Sequence, residues 1–179
     1  MSSTHSGRLK MPKRALTQRR KCTISYKGKR IVLPYPKPSS VAISRAMHQN
    51  KARGTRPEIA LRKFMWRQGL RGYRLNWPKA PGKPDIAYPG KKIAIFIHGC
   101  FWHRCPHCNL ALPRANETYW STKLNGNKRR DIQNKRRLKQ QGWEVAALWE
   151  CQLKKHPERA IQKLVRLICL CNMKRRERA

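Results

Sequence analysis

The sequence predicts an α/β domain with a mixed central sheet flanked by helices, preceded by a basic arm. Two observations carry this. Beyond residue 55 the periodicity runs helix, strand, strand, helix, strand, helix, an order that lays helices over strands in one sheet. The 179 residues also suit one domain of about 100–150 residues plus an appendage, rather than two large domains.

Residues 1–40 form the arm, which holds no acid, carries Lys and Arg throughout and closes on Leu33-Pro-Tyr-Pro-Lys-Pro-Ser-Ser40, an extended Pro-rich end. Within it, residues 23–26 and 29–33 can close a short hairpin around Lys27-Gly28. The globular domain spans residues 41–172, and residues 173–179 form a basic tail. Its first helix starts at Thr55-Arg-Pro-Glu58, with Thr55 as N-cap, Pro57 in the first turn and Glu58 at the third helical position. Ile59, Leu61, Phe64 and Met65 supply an apolar stripe that Gly69 ends. Residues 84–88 and 92–97 then make a hairpin about the turn dipeptide Pro89-Gly90. A Cys- and His-rich loop follows over residues 98–108. Residues 127–141 are a very basic helix, which Gly142 ends before the strand 143–149. A last helix after Pro157 presents Ile161, Leu164, Val165 and Ile168 on one face.

Composition narrows the partners. The net charge of +35, from 43 Lys and Arg against 8 Asp and Glu, favours a polyanion that releases its own counterions on binding. Nucleic acid is the leading candidate. A membrane surface would call for a basic amphipathic helix or a lipidation motif, and the longest apolar run, residues 93–97, is far short of the roughly 20 residues of a spanning helix. The Arg-rich start is like an organelle transit peptide, but acid depletion runs through the whole chain, so a cytoplasmic, nucleoid-associated location is expected.

Seven cysteines without a secretory segment argue against a disulfide framework. Cys100-x4-Cys105-x2-Cys108 is compact, and Cys105-Pro-His-Cys108 has zinc-knuckle spacing. Cys151, at the end of the last strand, is the expected fourth ligand, with His107 as its rival; four thiolates would leave no open position, so this zinc would be structural. Buried reduced thiols and a redox pair are the competing readings. Cys22, Cys169 and Cys171 look incidental.

With only eight acids, each is informative. Asp85, in Pro84-Asp85 at the head of a strand that precedes a buried one, fits the skeleton of the PD-(D/E)xK nuclease core, in which carboxylates hold Mg²⁺ against a phosphate. His98 and His103 stand where that core carries its acid and lysine, and a neutral imidazole can take a proton from water near neutral pH. Asp131 can orient one imidazole from the front of the basic helix, or it can be a helix-dipole or salt-bridge acid among Arg129, Arg130 and Lys135.

His98-Gly-Cys-Phe-Trp-His103, Cys105-Pro-His-Cys108, Asn127-Lys-Arg-Arg-Asp131, Gly142-Trp-Glu-Val and Trp149-Glu-Cys151 together resemble the very-short-patch-repair (Vsr) DNA mismatch endonuclease family. With Met47, residues 55–58 and Pro84-Asp85, the likeness spans roughly residues 44–155 in order. It implies a restriction-endonuclease-like core, with Mg²⁺ at Asp85 and at the backbone carbonyl of Ile97, where a member of the family carries Thr. It implies that His103 activates water with Asp131 as orienting partner, that His98 lies near the scissile phosphate, and that Glu58 orders the metal's water shell. Cys100, Cys105, Cys108 and Cys151 match the structural zinc ligands, with His an alternative in the family at the position of Cys105. Phe101 and Trp102 match an aromatic wedge beside the mismatch, and Met47 an apolar residue reaching in from the N-terminal side. Core packing is the competing reading of the aromatic pair, although both rings on one loop cannot easily face one core, which leaves at least one exposed. Lys128, Arg129 and Arg130 are further DNA-contact candidates on the basic helix.

The expected activity is Mg²⁺-dependent nicking of one strand of duplex DNA at T:G mismatches arising from deaminated 5-methylcytosine. A monomer is expected, linked in function to a cytosine-5 methyltransferase and mismatch-repair proteins. A related nuclease of other specificity, in phage defence or mobile elements, and a non-catalytic zinc-stabilised DNA-binding protein are the alternatives.

Overall fold

The computed structural model describes residues 22–26, 29–33, 36–37, 41, 45 and 54–176. The chain divides into two units, Met1–Lys37 and Pro38–Ala179. In the first, β1 (Cys22–Tyr26) pairs antiparallel with β2 (Lys29–Leu33), Cys22 opposite Leu33 and Tyr26 opposite Lys29, which is the expected hairpin. Met47 lies outside the described residues.

The second unit runs α1 (Arg56–Arg67), β3 (Arg74–Leu75), β4 (Ile86–Tyr88), β5 (Ile93–His98), α2 (Glu117–Gln140), β6 (Glu144–Trp149), α3 (Glu150–Lys155) and α4 (Pro157–Arg176). The strands form one sheet in the order β3-β4-β5-β6. Its first three strands are antiparallel and β5–β6 is parallel, so the sheet is mixed. No helix among the described residues is long and apolar enough to cross a membrane.

Period two in β5 sorts the side chains between two layers. Ile93 and Ile95 join a core with Leu61 and Met65 of α1 and Ile161, Leu164 and Ile168 of α4, while Ala94 and Phe96 join Leu138 of α2, Ala80, Trp77 and Trp143. Helices α1 and α4 therefore cover one face of the sheet and α2 the other. Leu61 and Met65, one turn apart, are both fully buried, each stabilising the fold by about 1.5–3 kcal/mol. Ile59 departs from the expected stripe and is exposed: two residues before Leu61, it sits on the opposite side of the helix.

Other departures concern boundaries. Helix α2 begins at Glu117, ten residues before the expected start. Asn125-Gly126-Asn127 reads locally as a break, but Trp120 and Leu124 are buried, and this outweighs the roughly 1 kcal/mol that glycine costs inside a helix. Asp131 consequently lies in mid-helix rather than at its front, beyond reach of the dipole at either end. Cys151 does not end β6; it is the second residue of α3, a short helix that the local pattern does not reveal.

Candidate active site

The site lies where the parallel strands β5 and β6 end, beside the middle of α2, the edge at which open α/β sheets bind ligands. Alternation along β5 puts His98 on the same side as Phe96, toward α2. Opposing it, Trp120, Leu124, Asn127, Asp131, Asn134 and Leu138 recur at spacings of three and four and form the inward stripe of α2. The ends of this stripe are apolar and buried; the middle is polar and half-buried. Packing at both ends thus fixes the polar middle against the site.

His103 Nδ1 meets Asp131 Oδ2 at 2.5 Å. With Nδ1–H donating to the carboxylate, Nε2 is the basic nitrogen of His103. The His98 ring stacks on His103 with centroids 4.2 Å apart, and leans on Trp149 of β6 at 5.2 Å. Burial, reinforced by the neighbouring His103, drives the His98 value down to about 4, Asp131 opposing weakly, so His98 is a neutral imidazole at pH 7. Ligand atoms of His98, His103 and Asp131 lie within 4.8 Å of one another, a spacing that could also suit a cation.

Asp85 stands just ahead of β4, half-buried, and its Oδ2 accepts the backbone N–H of Ile97 at 2.7 Å. Burial raises its pKa above the usual 3.8; the Ile97 hydrogen bond works against this, Glu58 adds to it, and His103 pulls downward. Asp85 thus feels both Glu58 and His103. Glu58, buried in the first turn of α1, accepts the Gly54 N–H at 2.8 Å and the Thr55 hydroxyl at 2.7 Å. It therefore closes the start of α1 beside the expected N-cap Thr55, although here the Thr55 hydroxyl donates to the Glu58 carboxylate instead of accepting from a backbone N–H of the helix. A buried and a half-buried carboxylate that repel each other suit a hard divalent cation, which takes oxygen ligands.

Cys100, Cys105, Cys108 and Cys151 converge, with their sulfurs all within 4.8 Å of one another. Cys105 and Cys151 sulfurs are 3.8 Å apart, which matches the edge of about 3.8 Å for a tetrahedron with metal–sulfur bonds of about 2.3 Å. Burial pushes the Cys100 thiol up to about 12 and raises Cys151. At Cys105 burial acts upward too, but backbone N–H groups of Cys108 and His107 win and lower it, as a thiolate-bearing knuckle requires. The four donors fit a four-coordinate soft cation. His107 is no ligand in this arrangement: it is exposed, with Nε2 3.3 Å from Gln152 Nε2.

Between the two centres, the loop carrying Phe101 and Trp102 folds back on itself through Cys105 N–H to Cys100 O at 2.9 Å and His103 N–H to Gly99 O at 3.2 Å. Both rings are half-buried, so the expected exposed ring is absent; they meet edge to face at 5.2 Å and lean on Trp120, at 5.5 and 6.0 Å. Trp120 escapes a sequence reading of the site, because extending the apolar period of α2 backward means reading through Gly126. Asn127, which no motif marks as a site residue by itself, donates from Nδ2 to the Trp102 carbonyl at 3.0 Å and accepts from Arg130 at 2.9 Å. Lys128, Arg129 and Arg130 are exposed.

The profile of the DNA mismatch endonuclease Vsr family matches residues 40–110. The chain is 40% identical over 108 residues to the type II nicking enzyme V.XorIIP of Xanthomonas oryzae pv. oryzae, covering 60% of this chain and 78% of that protein. It is 42% identical over 121 residues to the type II nicking enzyme V.NaeI of Lentzea aerocolonigenes, 65% and 72% of the two chains. Against the DNA mismatch endonuclease Vsr of Escherichia coli it is 36% identical over 112 residues, 62% and 70%. Identity at this level across most of each relative's length is inheritance of the whole domain, and the chain belongs to the Vsr family of DNA mismatch endonucleases.

Proposed function

We propose that the protein is a Mg²⁺-dependent DNA endonuclease that nicks one strand of duplex DNA at a T:G mismatch. The endonuclease class follows the family; the observation supporting the mechanism is the 2.5 Å His103–Asp131 pair beside Asp85. His103 takes a proton at Nε2 from the attacking water, and Asp131 holds the ring and stabilises the imidazolium that forms. The water oxygen bonds to phosphorus and the 3′ oxygen leaves, so the product carries a 5′ phosphate. Asp85 and the Ile97 carbonyl would hold Mg²⁺, with Glu58 ordering its water; Mg²⁺ bound there supplies neutralisation of phosphate charge. His98, neutral beside His103, can donate a hydrogen bond to a phosphate oxygen.

The arrangement of Asp85 before a strand paired to β5 supports a PD-(D/E)xK-type core with histidines in place of its acid and lysine. The soft Cys₄ set supports structural Zn²⁺. Phe101 and Trp102, with Met47, would wedge beside the mispair, where unstacking is cheapest. Lys128, Arg129 and Arg130 would contact phosphates, and residues 1–40 and 173–179 would act as a basic arm and tail around the 41–172 domain. A cytoplasmic monomer, linked in function to a cytosine-5 methyltransferase and mismatch-repair proteins, completes the proposal. Assaying nicking on a panel of mismatched and matched duplexes, with and without Mg²⁺, tests it: the expectation is one-strand cleavage confined to T:G and requiring Mg²⁺. Equal cleavage of matched duplex would replace the mismatch specificity with another, and cleavage unaffected by chelation would remove Mg²⁺.

A further inference from the structure

The inward stripe of α2 meets three separate segments. Asn127 takes the Trp102 carbonyl, Asp131 takes His103, and Asn134, three residues on, lies against Gly82. A Cβ placed on Gly82 would stand 2.8 Å from Asn134 Nδ2 and 3.0 Å from its Cβ and Cγ, all three atoms on one side chain. The backbone of Gly82 is also left-handed, with φ +78°.

Gly82 lies in the connection from β3 to β4, which ends at Asp85. That connection is closed on itself by Asn76 N–H to Asp85 O at 3.0 Å, Trp77 N–H to Pro84 O at 3.2 Å and Lys83 N–H to Ala80 O at 3.0 Å. Ala80 and Pro84 are buried, and Ala80 and Trp77 pack in the cluster of Leu138, one turn beyond Asn134. A loop so braced moves as a body, so its seat on α2 is transmitted to Asp85. His103 is seated on the same helix one turn away.

We propose that Gly82 and Asn134 are positioning residues whose contact sets Asp85 against His103, with α2 as the common ruler. This rests on the reading of Asp85 and His103 as the two halves of the nuclease site. Only the absence of a side chain at residue 82 lets the loop come this close to the helix. A shift of about 1 Å between such groups can cost on the order of 100-fold in rate, so even a partial displacement is measurable.

The test is single-turnover nicking of a T:G duplex in Mg²⁺ by the full chain, alongside DNA affinity without Mg²⁺ and thermal melting. Gly82→Ala is expected to lower the nicking rate about tenfold or more with DNA affinity unchanged. Combining it with Asn134→Gly should recover much of that loss, because the obstructing atoms are gone. An equal loss in both backgrounds would mean that backbone strain at residue 82, not the contact, is responsible, and would overturn the proposal, as would a wild-type rate. Should Gly82→Ala fail to fold, Asn134→Gln presses the same seat from the helix side; a rate fall with unaltered melting supports the proposal, and a wild-type rate overturns it. Asp85→Asn in the same assay separates the layers. If it nicks normally, the reading of the site fails; if it is inactive while the Gly82 and Asn134 variants behave as wild type, only the positioning role fails.

Discussion

His103, Asp131 and Asp85 sit in different environments, and each environment makes its own prediction. Replacing His103 by Ala is expected to lower the nicking rate by about 10²–10⁴-fold, the usual worth of a positioned general base, with the fold intact by circular dichroism. Asp131→Asn keeps the shape but removes the charge that, in the proposed mechanism, stabilises the imidazolium, so the rate should fall by about 10²-fold or more with little change in DNA affinity. Asp85 makes a different prediction. Its carboxyl is held above 3.8 by burial and then by Glu58, so its contribution to stability is full at low pH and is lost as pH rises through the folded-state value. The cost of ionising a poorly solvated Asp85 therefore falls on the metal-free fold as pH rises. Asp85→Asn should abolish nicking yet raise the metal-free melting temperature at pH 7, an advantage that shrinks as pH is lowered toward about 4. Added Mg²⁺ should raise the melting temperature of the wild type and leave the variant unmoved. A variant that melts lower than wild type at pH 7 would contradict the burial argument.

Among the elements, α2 organises the site. One stripe holds the aromatic loop through Asn127, His103 through Asp131 and the Asp85 loop through Asn134, while Trp120, Leu124 and Leu138 anchor it to the core. Leu138→Ala removes a fully buried side chain and should cost about 2–5 kcal/mol, read by denaturant unfolding. Most of this element is legible in sequence: a basic helix ending at Gly142 and carrying Asp131 is written in local pattern. Its first ten residues are not, because Gly126 interrupts the propensity and only tertiary burial of Trp120 and Leu124 restores it. The same limit hides α3, six residues long, and places Ile59 in a stripe that the helix turns away from the core. Thr55 to Glu58, by contrast, reads correctly as a helix start, since Thr55 and Glu58 bond to each other and Pro57 sits in the first turn, all within four residues.

For the whole molecule, two terms dominate: an excess of positive charge and a sulfur cluster that ties α3 to the 98–108 loop. Affinity for DNA should fall steeply with salt, and replacing Lys128, Arg129 and Arg130 by Ala should reduce the magnitude of the log–log slope by about 0.9 for each phosphate no longer neutralised. A slope unchanged from wild type would move the DNA path off this face of α2. At the cluster, Cys100 and Cys151 are pushed upward by burial and would stay protonated without a cation, so removal of the proposed zinc would leave the loop without a cross-link. A strong chelator should lower the melting temperature and release about one zinc per chain in a colorimetric assay, as a closed Cys₄ site implies, and Cys105→Ser should melt lower and be isolated with less zinc.

The α/β class, the hairpin of β4 and β5 and the cysteine set are legible in the amino-acid order alone, because each is written in a short period, a turn dipeptide or a ligand spacing. Folding settles the partners that local pattern leaves open: Asp131 pairs with His103, as the family resemblance implies, and not with the helix dipole, Cys151 and not its rival His107 joins the sulfur cluster, and Gly82 meets Asn134. Those choices depend on residues far apart in the chain being held within a few ångströms by packed elements, and no local pattern carries that information.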